Sequence, residues 1–415
     1  MAQNKKLSSL IKITKWKKVI FWDTWKYSYI DIKCLRDDNV NWYTDEEWVF
    51  CTKKDIVIAW DWSKSGTVGY WLDGVIWSTL AKLEVTNEEV DTKYLWEFLR
   101  SNYKYLNGNV SWVAIPHLKK EFLVNLEIPL PNINTQCLIV SEIEKQFSRL
   151  DEWLSSLVRI RENLKSYRAS LLKSAVEWRL TAEWRAEHPD IEGADILLDR
   201  IRTARREKWL SDNLGKKYKE PEKVKEWIEW LIIPDEWWVV DYNTIAYYFR
   251  SWTTAVPKSD PTEYPILRSS SVRSWKIDYL DVKFLSEEDS ANKDNFLKEN
   301  DIVFTRLNWT INYVGNCALV KGSDNKFQYS DRLFCSKISI PEMSNFIEFV
   351  FQTPFIRRRI ESLAKSTAWH KRISTWDILT QQIPLPPLLE QYRIVEILDE
   401  KFSVIDSLES LVNAN

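Results

Sequence analysis

The chain has 415 residues, with 58 Lys and Arg against 60 Asp and Glu, a net charge of −2, and 45% hydrophobic residues. That composition fits a globular protein of two or three domains and argues against one that holds nucleic acid through a general basic excess, while leaving room for local basic patches. No apolar run approaches the roughly 18 residues of a membrane span, the N-terminus lacks the apolar stretch of a signal peptide, and the five scattered cysteines form no C-x-x-C pair, so the expected setting is a reducing cytoplasm without disulfides, zinc or membrane.

In chain order, residues 1–131 read as a globular α/β unit, with β-branched runs such as Asp55-Ile-Val-Ile58 and a helix over Lys93–Tyr105. Residues 132–181 carry a heptad seam: Ile143, Phe147, Leu150, Leu154, Leu157, Arg161, Leu164, Arg168, Leu171 and Ala175 alternate in steps of four and three. No Pro or Gly interrupts 136–178, which predicts one helix of about 43 residues and roughly 65 Å. The stretch 182–233 is polar, with charge clusters around Arg200–Lys208 and Lys216–Lys225, and reads as a solvated helical linker, with a partner-docking or phosphate-facing segment as the alternative. Residues 234–386 form a second α/β unit, with a strand at Asp301-Ile-Val-Phe304 and a helix over Ser344–Ala364. Residues 387–415 are a second, shorter helix with the seam Leu398, Phe402, Ile405, and Leu408, Leu411 and Val412 nearby.

The order conceals a duplication. Ile128-Pro-Leu-Pro131 recurs as Ile383-Pro-Leu-Pro386, and in the same register Gln136 matches Gln391, Ile139-Val140 matches Ile394-Val395, Phe147-Ser148 matches Phe402-Ser403, and Asp151 matches Asp406. A tandem repeat therefore places a globular unit before each long helix. Two such helices in one chain pack most simply as an antiparallel coiled coil, giving an α+β fold of two mixed α/β domains joined by helices.

Tryptophan and glycine are out of proportion: 24 Trp against 8 Gly, where average usage gives roughly 29 glycines. Several tryptophans occupy turn-like contexts, among them Asp61-Trp62-Ser63, Ser251-Trp252-Thr253, Ser274-Trp275-Lys276, Asn308-Trp309-Thr310 and Thr375-Trp376-Asp377. Glycine reaches positive φ without steric cost and Trp does not. The readings are base-stacking platforms, ordinary core and surface residues, or a chain that departs from its natural template; the last is favoured.

The marks of DNA chemistry are missing. There is no polar residue followed by Pro-Pro and an aromatic to grip a flipped adenine, and no Gly-rich turn for a methyl donor; Pro386-Pro387 precedes Leu388-Leu389 and belongs to the repeat. No G-x-x-x-x-G-K-[ST] occurs. Pro189-Asp190 and Pro234-Asp235 lack a downstream Glu-x-Lys, and His117, His188 and His370 have no metal-site spacing.

The segment from Ile128 to Thr181, with its proline entry, Gln136-x-x-Ile139-Val140 start, long helix and closing Glu177-Trp-Arg-Leu-Thr181, resembles the central conserved region of Type I restriction-modification specificity subunits. Trp178 stands where that family has glycine. Residues 383–406 look like the second conserved region, and Pro234-Asp-Glu-Trp-Trp238 resembles the Leu-Pro-x-Gly-Trp entry to a recognition domain, with Trp237 at the glycine place. The resemblance covers essentially the whole chain. It implies two target-recognition domains with pseudo-twofold symmetry, each reading half of a split site in double-stranded DNA, and paired helices that fix their spacing. It also implies two docked modification subunits, which bind S-adenosylmethionine and methylate adenine, and restriction subunits that hydrolyse ATP with magnesium. The chain itself is then expected to carry no cofactor, no metal and no catalytic residue.

Base readout needs Arg or Lys for guanine and Asn or Gln for adenine. The candidates are Lys64, Ser65, Lys119 and Lys120 in the first unit and Arg268, Arg273, Lys276, Arg306, Asn308, His370, Lys371 and Arg372 in the second. Each is more simply a surface residue or a phosphate contact than a base reader, and phosphate contacts position without specifying. Two other readings compete: a coiled-coil interaction scaffold without a DNA role, and a single-chain restriction-modification enzyme, against which the missing motifs argue.

Overall fold

The run Ile56-Val-Ile-Ala59 is mostly β-branched and is buried along its whole length as the inner strand of a sheet. Its counterpart Ile302-Val-Phe-Thr305 does the same in the second half of the chain. A computed structural model describes residues 3–15, 27–37, 42–44, 49–112, 116–177, 179–221, 233–252, 255–290, 296–322, 327–366 and 370–414; Trp178 lies outside them, as do residues 222–232 of the expected linker. The chain divides into two units, Met1–Ser156 and Leu157–Asn415.

In the first unit an antiparallel sheet runs Ile11–Lys15, Leu80–Val85, Ile56–Ala59, Val68–Tyr70. A second sheet pairs Tyr27–Ile30 in parallel with Gly74–Ile76, flanked by Trp42–Thr44 and Phe50–Cys51. A short ladder of Gln3–Lys6 on Glu127–Leu130 closes the unit. The second unit repeats the plan: Ala246–Arg250, Leu333–Ile338, Ile302–Thr305, Cys317–Leu319 in one sheet; Pro265–Leu267 parallel to Gln328–Tyr329 and flanked by Val282–Phe284 in another, with no described counterpart of Phe50–Cys51; and Trp238–Asp241 on Gln382–Leu385 as the closing ladder. Even the buried ion pair recurs. Asp55 faces Lys82 at 3.5 Å and Asp301 faces Lys337 at 3.0 Å, each pair tying the start of the inner strand to its sheet neighbour. The duplication read from the proline motifs is thus a duplication of whole domains.

Two expected helices are each broken in two. Helix Thr92–Ser101, capped by the Asp91 carboxylate on the Tyr94 N–H, is followed by Tyr103–Gly108. In the second unit Ser344–Gln352 stops at Thr353, because Pro354 has no N–H to continue the ladder; it instead opens Pro354–Leu363.

The first long helix spans Ile133–Val176. Its start is set by Asn132, whose side chain accepts from the Thr135 N–H at 2.9 Å, and by buried Gln136, which donates to the Pro131 and Glu89 carbonyls and accepts from the Asp91 N–H. The second long helix, Leu388–Ala414, lies within the second unit and runs antiparallel to the Leu157–Val176 part of the first: Arg161 bonds Asn413, and Arg168 bonds Asp406. Leu171, Leu398, Phe402 and Ile405 are buried in the same core, and Leu164 is partly buried against it.

The rest of the seam needs correction. Phe147, Leu150 and Leu154 are exposed rather than packed in a coiled coil, and Ile143 and Leu157 are half-buried. The described contacts between the two long helices run from Arg168 with Asp406 to Arg161 with Asn413. Phe147 instead takes the Arg100 guanidinium over its ring at 4.9 Å.

The solvated linker expected over 182–233 is also corrected. Its helix Ala194–Asp212 buries Leu197, Leu198 and Ile201 in the second unit's core, and Arg205 donates to the Asn243 and Ala246 carbonyls. Periodicity hid this because only a narrow stripe of that helix is apolar.

Candidate nucleic-acid interface

The duplicated fold brings two distant segments together at one place in each unit. In the second unit Leu307–Asn308 pairs with Lys371–Arg372, which pairs in turn with Lys365–Ser366. This small sheet gathers Asn308, His370, Lys371 and Arg372 on one patch. Lys371 donates to the Ser366 hydroxyl at 2.8 Å, Arg372 and Lys365 are exposed, and the Trp309 ring, 65% exposed, lies 4.4 Å from the His370 ring.

The first unit builds the corresponding place from Asp61 and His117, which form an isolated antiparallel bridge where the second unit has Leu307 opposite Arg372. The Trp62 N–H donates to the Pro116 carbonyl at 2.8 Å, holding the loop of Lys64 against the segment of Lys119 and Lys120. All three lysines are exposed. The Trp60 indole N–H donates to His117 Nε2 at 3.0 Å, so Nε2 accepts, which leaves the ring proton on Nδ1 facing the Asp61 carboxylate. Lys15 lies over the Trp60 ring at 3.9 Å. Burial lowers its pKa, Asp61 pulls it back up, and Lys120 pushes it further down, so these charges share one neighbourhood.

Other expected residues are committed elsewhere. Ser65 is buried and its hydroxyl donates to the Trp62 carbonyl; it fixes the loop and has no surface to offer DNA. Arg306 is half-buried, its guanidinium donating to the Asp331 carbonyl at 3.1 Å and lying over the Phe334 ring. Arg268 is ion-paired with Asp281 at 2.8 Å. Arg273 stacks on Tyr313 at 4.6 Å, in the turn that follows Leu307–Asn308, and Lys276 is exposed in the adjoining hairpin.

Reading the sequence singly missed His117, Lys15 and Lys365 as members of these patches. The repeat carried a signal for the first: His117 and Arg372 stand in the register that relates the two proline motifs, so either member points to the other. Lys15 carried none, because its place depends on sheet packing. Among the described residues no group of three or more His, Cys, Asp or Glu is arranged to hold a metal ion, and no described helix is long and apolar enough to cross a membrane.

The chain is a duplication: two α/β units of like topology, each followed by a long helix and each carrying a basic, partly aromatic patch at the same strand junction. The chain belongs to the family described as Type I restriction modification DNA specificity domain, whose sequence model matches residues 2–154 and 244–413.

It is 26% identical over 289 residues to the Type I restriction enzyme EcoKI specificity subunit of Escherichia coli (strain K12), a match covering 69% of this chain and 53% of that protein. It is 22% identical to the EcoBI specificity subunit of Escherichia coli, covering 88% and 70%, and 24% identical to the MjaVIII specificity subunit of Methanocaldococcus jannaschii, covering 92% and 80%. The chain thus matches about half the length of the first of these relatives and more of the others. Two solved chains share the fold at 13% identity. One, from a structural study of assembly and conformational transition in the type I R-M system, superposes with a TM-score of 0.60 over 99% of this chain and 93% of that one. The other, the HsdS subunit from Thermoanaerobacter tengcongensis, gives 0.56 over 99% and 91%.

Proposed function

We propose that this chain is the sequence-reading subunit of a Type I restriction-modification complex, each unit reading one half of a split site in double-stranded DNA while the paired long helices set the gap between halves. The observation that carries the reading is the equivalence of the two patches: the Asp61–His117 bridge and the Leu307–Arg372 pair occupy one topological place in a duplicated domain. Two like heads on one chain fit two half-sites about one helical turn, roughly 34 Å, apart on B-DNA. Lys64, Lys119 and Lys120 in the first head, and Asn308, His370, Lys371 and Arg372 in the second, supply phosphate contacts and the donors that guanine and adenine edges accept. The chain acts in the cytoplasm and contributes no catalytic group. Methyl transfer from S-adenosylmethionine belongs to two modification subunits, and magnesium-dependent ATP hydrolysis to restriction subunits.

The test is affinity selection from random duplex DNA by this chain assembled with its modification subunits. A split motif with a fixed gap is expected; no enrichment by a folded, assembled complex overturns the reading. Removing whole heptads from the first long helix should change the gap, and an unchanged gap overturns the spacing role.

A further inference from the structure

We infer that Trp62 and Trp71 stand at positions built for glycine, together with Trp275, and that the chain made in its own cell carries glycine there. Among the described residues nine have left-handed φ: five are glycine (Gly66, Gly74, Gly215, Gly315, Gly322), three are Trp62 (φ 77°), Trp71 (φ 63°) and Trp275 (φ 69°), and one is Asn300. Glycine and asparagine are the residues that visit this region routinely; a bulky side chain brings its Cβ against the following carbonyl. Aromatic bulk does not account for the pattern. The chain has 17 Tyr and 16 Phe, and no described Tyr or Phe adopts positive φ.

The turns at Trp275 and Trp62 agree. Trp275 is the second central residue of a two-residue turn, with Arg273 paired to Lys276 across it. A turn whose third residue alone has positive φ is the type II form, which calls for glycine or asparagine there. Trp62 opens the turn that Ser65 closes, the Ser65 N–H donating back to its carbonyl at 3.0 Å. Neither Trp62 nor Trp71 offsets the strain by burial, being 54% and 63% exposed. Trp275 does so in part, packing on Phe349 at 5.0 Å and Phe402 at 5.7 Å. The excess of 24 Trp over 8 Gly has the same sense. One cause covers composition and geometry together: a coding triplet that the source cell decodes as glycine. Trp237 is not included, because it is buried without a left-handed backbone and donates to Glu390 at 2.8 Å.

Two measurements decide the matter, and neither involves DNA, so their failure leaves the function proposed above untouched. Peptide mass mapping of the protein isolated from its own cells is expected to find glycine at 62 and 71; tryptophan at either overturns the inference. In the recombinant 415-residue chain, Trp62→Gly and Trp71→Gly should each raise the thermal midpoint of the first unit by about 2–4 °C. Trp60→Gly, at a buried position without positive φ, should lower it. An unchanged or lowered midpoint for both exposed variants overturns the claim that the backbone is glycine-built.

Discussion

Arg168 bonds Asp406 one heptad away from the contact between Arg161 and Asn413, and the two pairs together fix an antiparallel register between the long helices: seven residues forward on one is seven back on the other. The same guanidinium lies over the Phe402 ring at 4.8 Å. Arg168 is thus both the charge and part of the apolar cover of the seam. A double-mutant cycle on Arg168→Ala and Asp406→Ala, followed by urea unfolding, should give a coupling of about 0.5–1 kcal/mol, because Asp406 is largely exposed. Arg168→Ala alone should cost more than Asp406→Ala, since it also uncovers Phe402. Equal costs would remove the ring from the account.

Glu390 is fully buried and accepts from the Thr181 hydroxyl at 2.6 Å, from Arg185 at 2.9 Å and from the Trp237 indole at 2.8 Å. It joins the end of the central repeat segment to the start of the second long helix. Glu390→Ala takes this acceptor from the buried Thr181 hydroxyl and Trp237 indole and the counter-charge from half-buried Arg185, and should cost about 2–4 kcal/mol in the unfolding of the second unit. A loss below about 1 kcal/mol would mean that the cluster opens to water on its own.

Glu348 is buried, and its carboxylate accepts from the Leu319 N–H at 2.8 Å. Burial pushes its pKa up, against the opposing pull of that N–H and of Lys321. An acid with a raised folded pKa stabilises the fold below its unfolded pKa and loses that contribution as pH rises through the folded pKa. Glu348→Gln, which keeps an acceptor for Leu319 and never ionises, should melt higher than the parent near about pH 8 and converge with it near about pH 4. A difference that does not vary with pH would place the effect in packing.

At the candidate interface, Arg372→Ala and His117→Ala address equivalent places in the two heads. Each should weaken specific DNA binding of the assembled complex; Arg372→Ala, at an exposed side chain, should leave stability within about 0.5 kcal/mol of the parent, whereas His117→Ala also takes the acceptor from the buried Trp60 indole N–H and should cost about 1–3 kcal/mol. If Arg372 holds a phosphate, the slope of log affinity against log salt falls by about one; if it reads guanine, binding drops by about 1–3 kcal/mol and selection relaxes at one base position. Arg306→Ala should behave oppositely and lower stability first, because its guanidinium holds the Asp331 carbonyl. Unaltered DNA binding by both Arg372→Ala and His117→Ala would remove these patches from the interface.

By itself the sequence determined the duplication, the two α/β units and the two long helices. These follow from local chemistry that repeats: proline entries at Ile128–Pro131 and Ile383–Pro386, inner-strand runs beginning at Asp55 and Asp301, and heptads free of Pro and Gly. Tertiary structure decided what local pattern cannot carry. Whether an apolar seam is covered depends on what lies across from it, so Leu171 is buried while Leu150 and Leu154, in the same heptad pattern, are exposed. Helix Ala194–Asp212 looks solvated in composition, yet it enters the core because a narrow stripe of Leu197, Leu198 and Ile201 meets an apolar surface built by distant residues. Ser65 and Arg306 have the side chains of DNA contacts but spend them on backbone carbonyls within the fold. His117 joins the candidate site because long-range strand pairing brings it opposite Asp61, 56 positions away in the chain. Contacts of that range are fixed by the sum of packing and loop closure, and no window of sequence contains them.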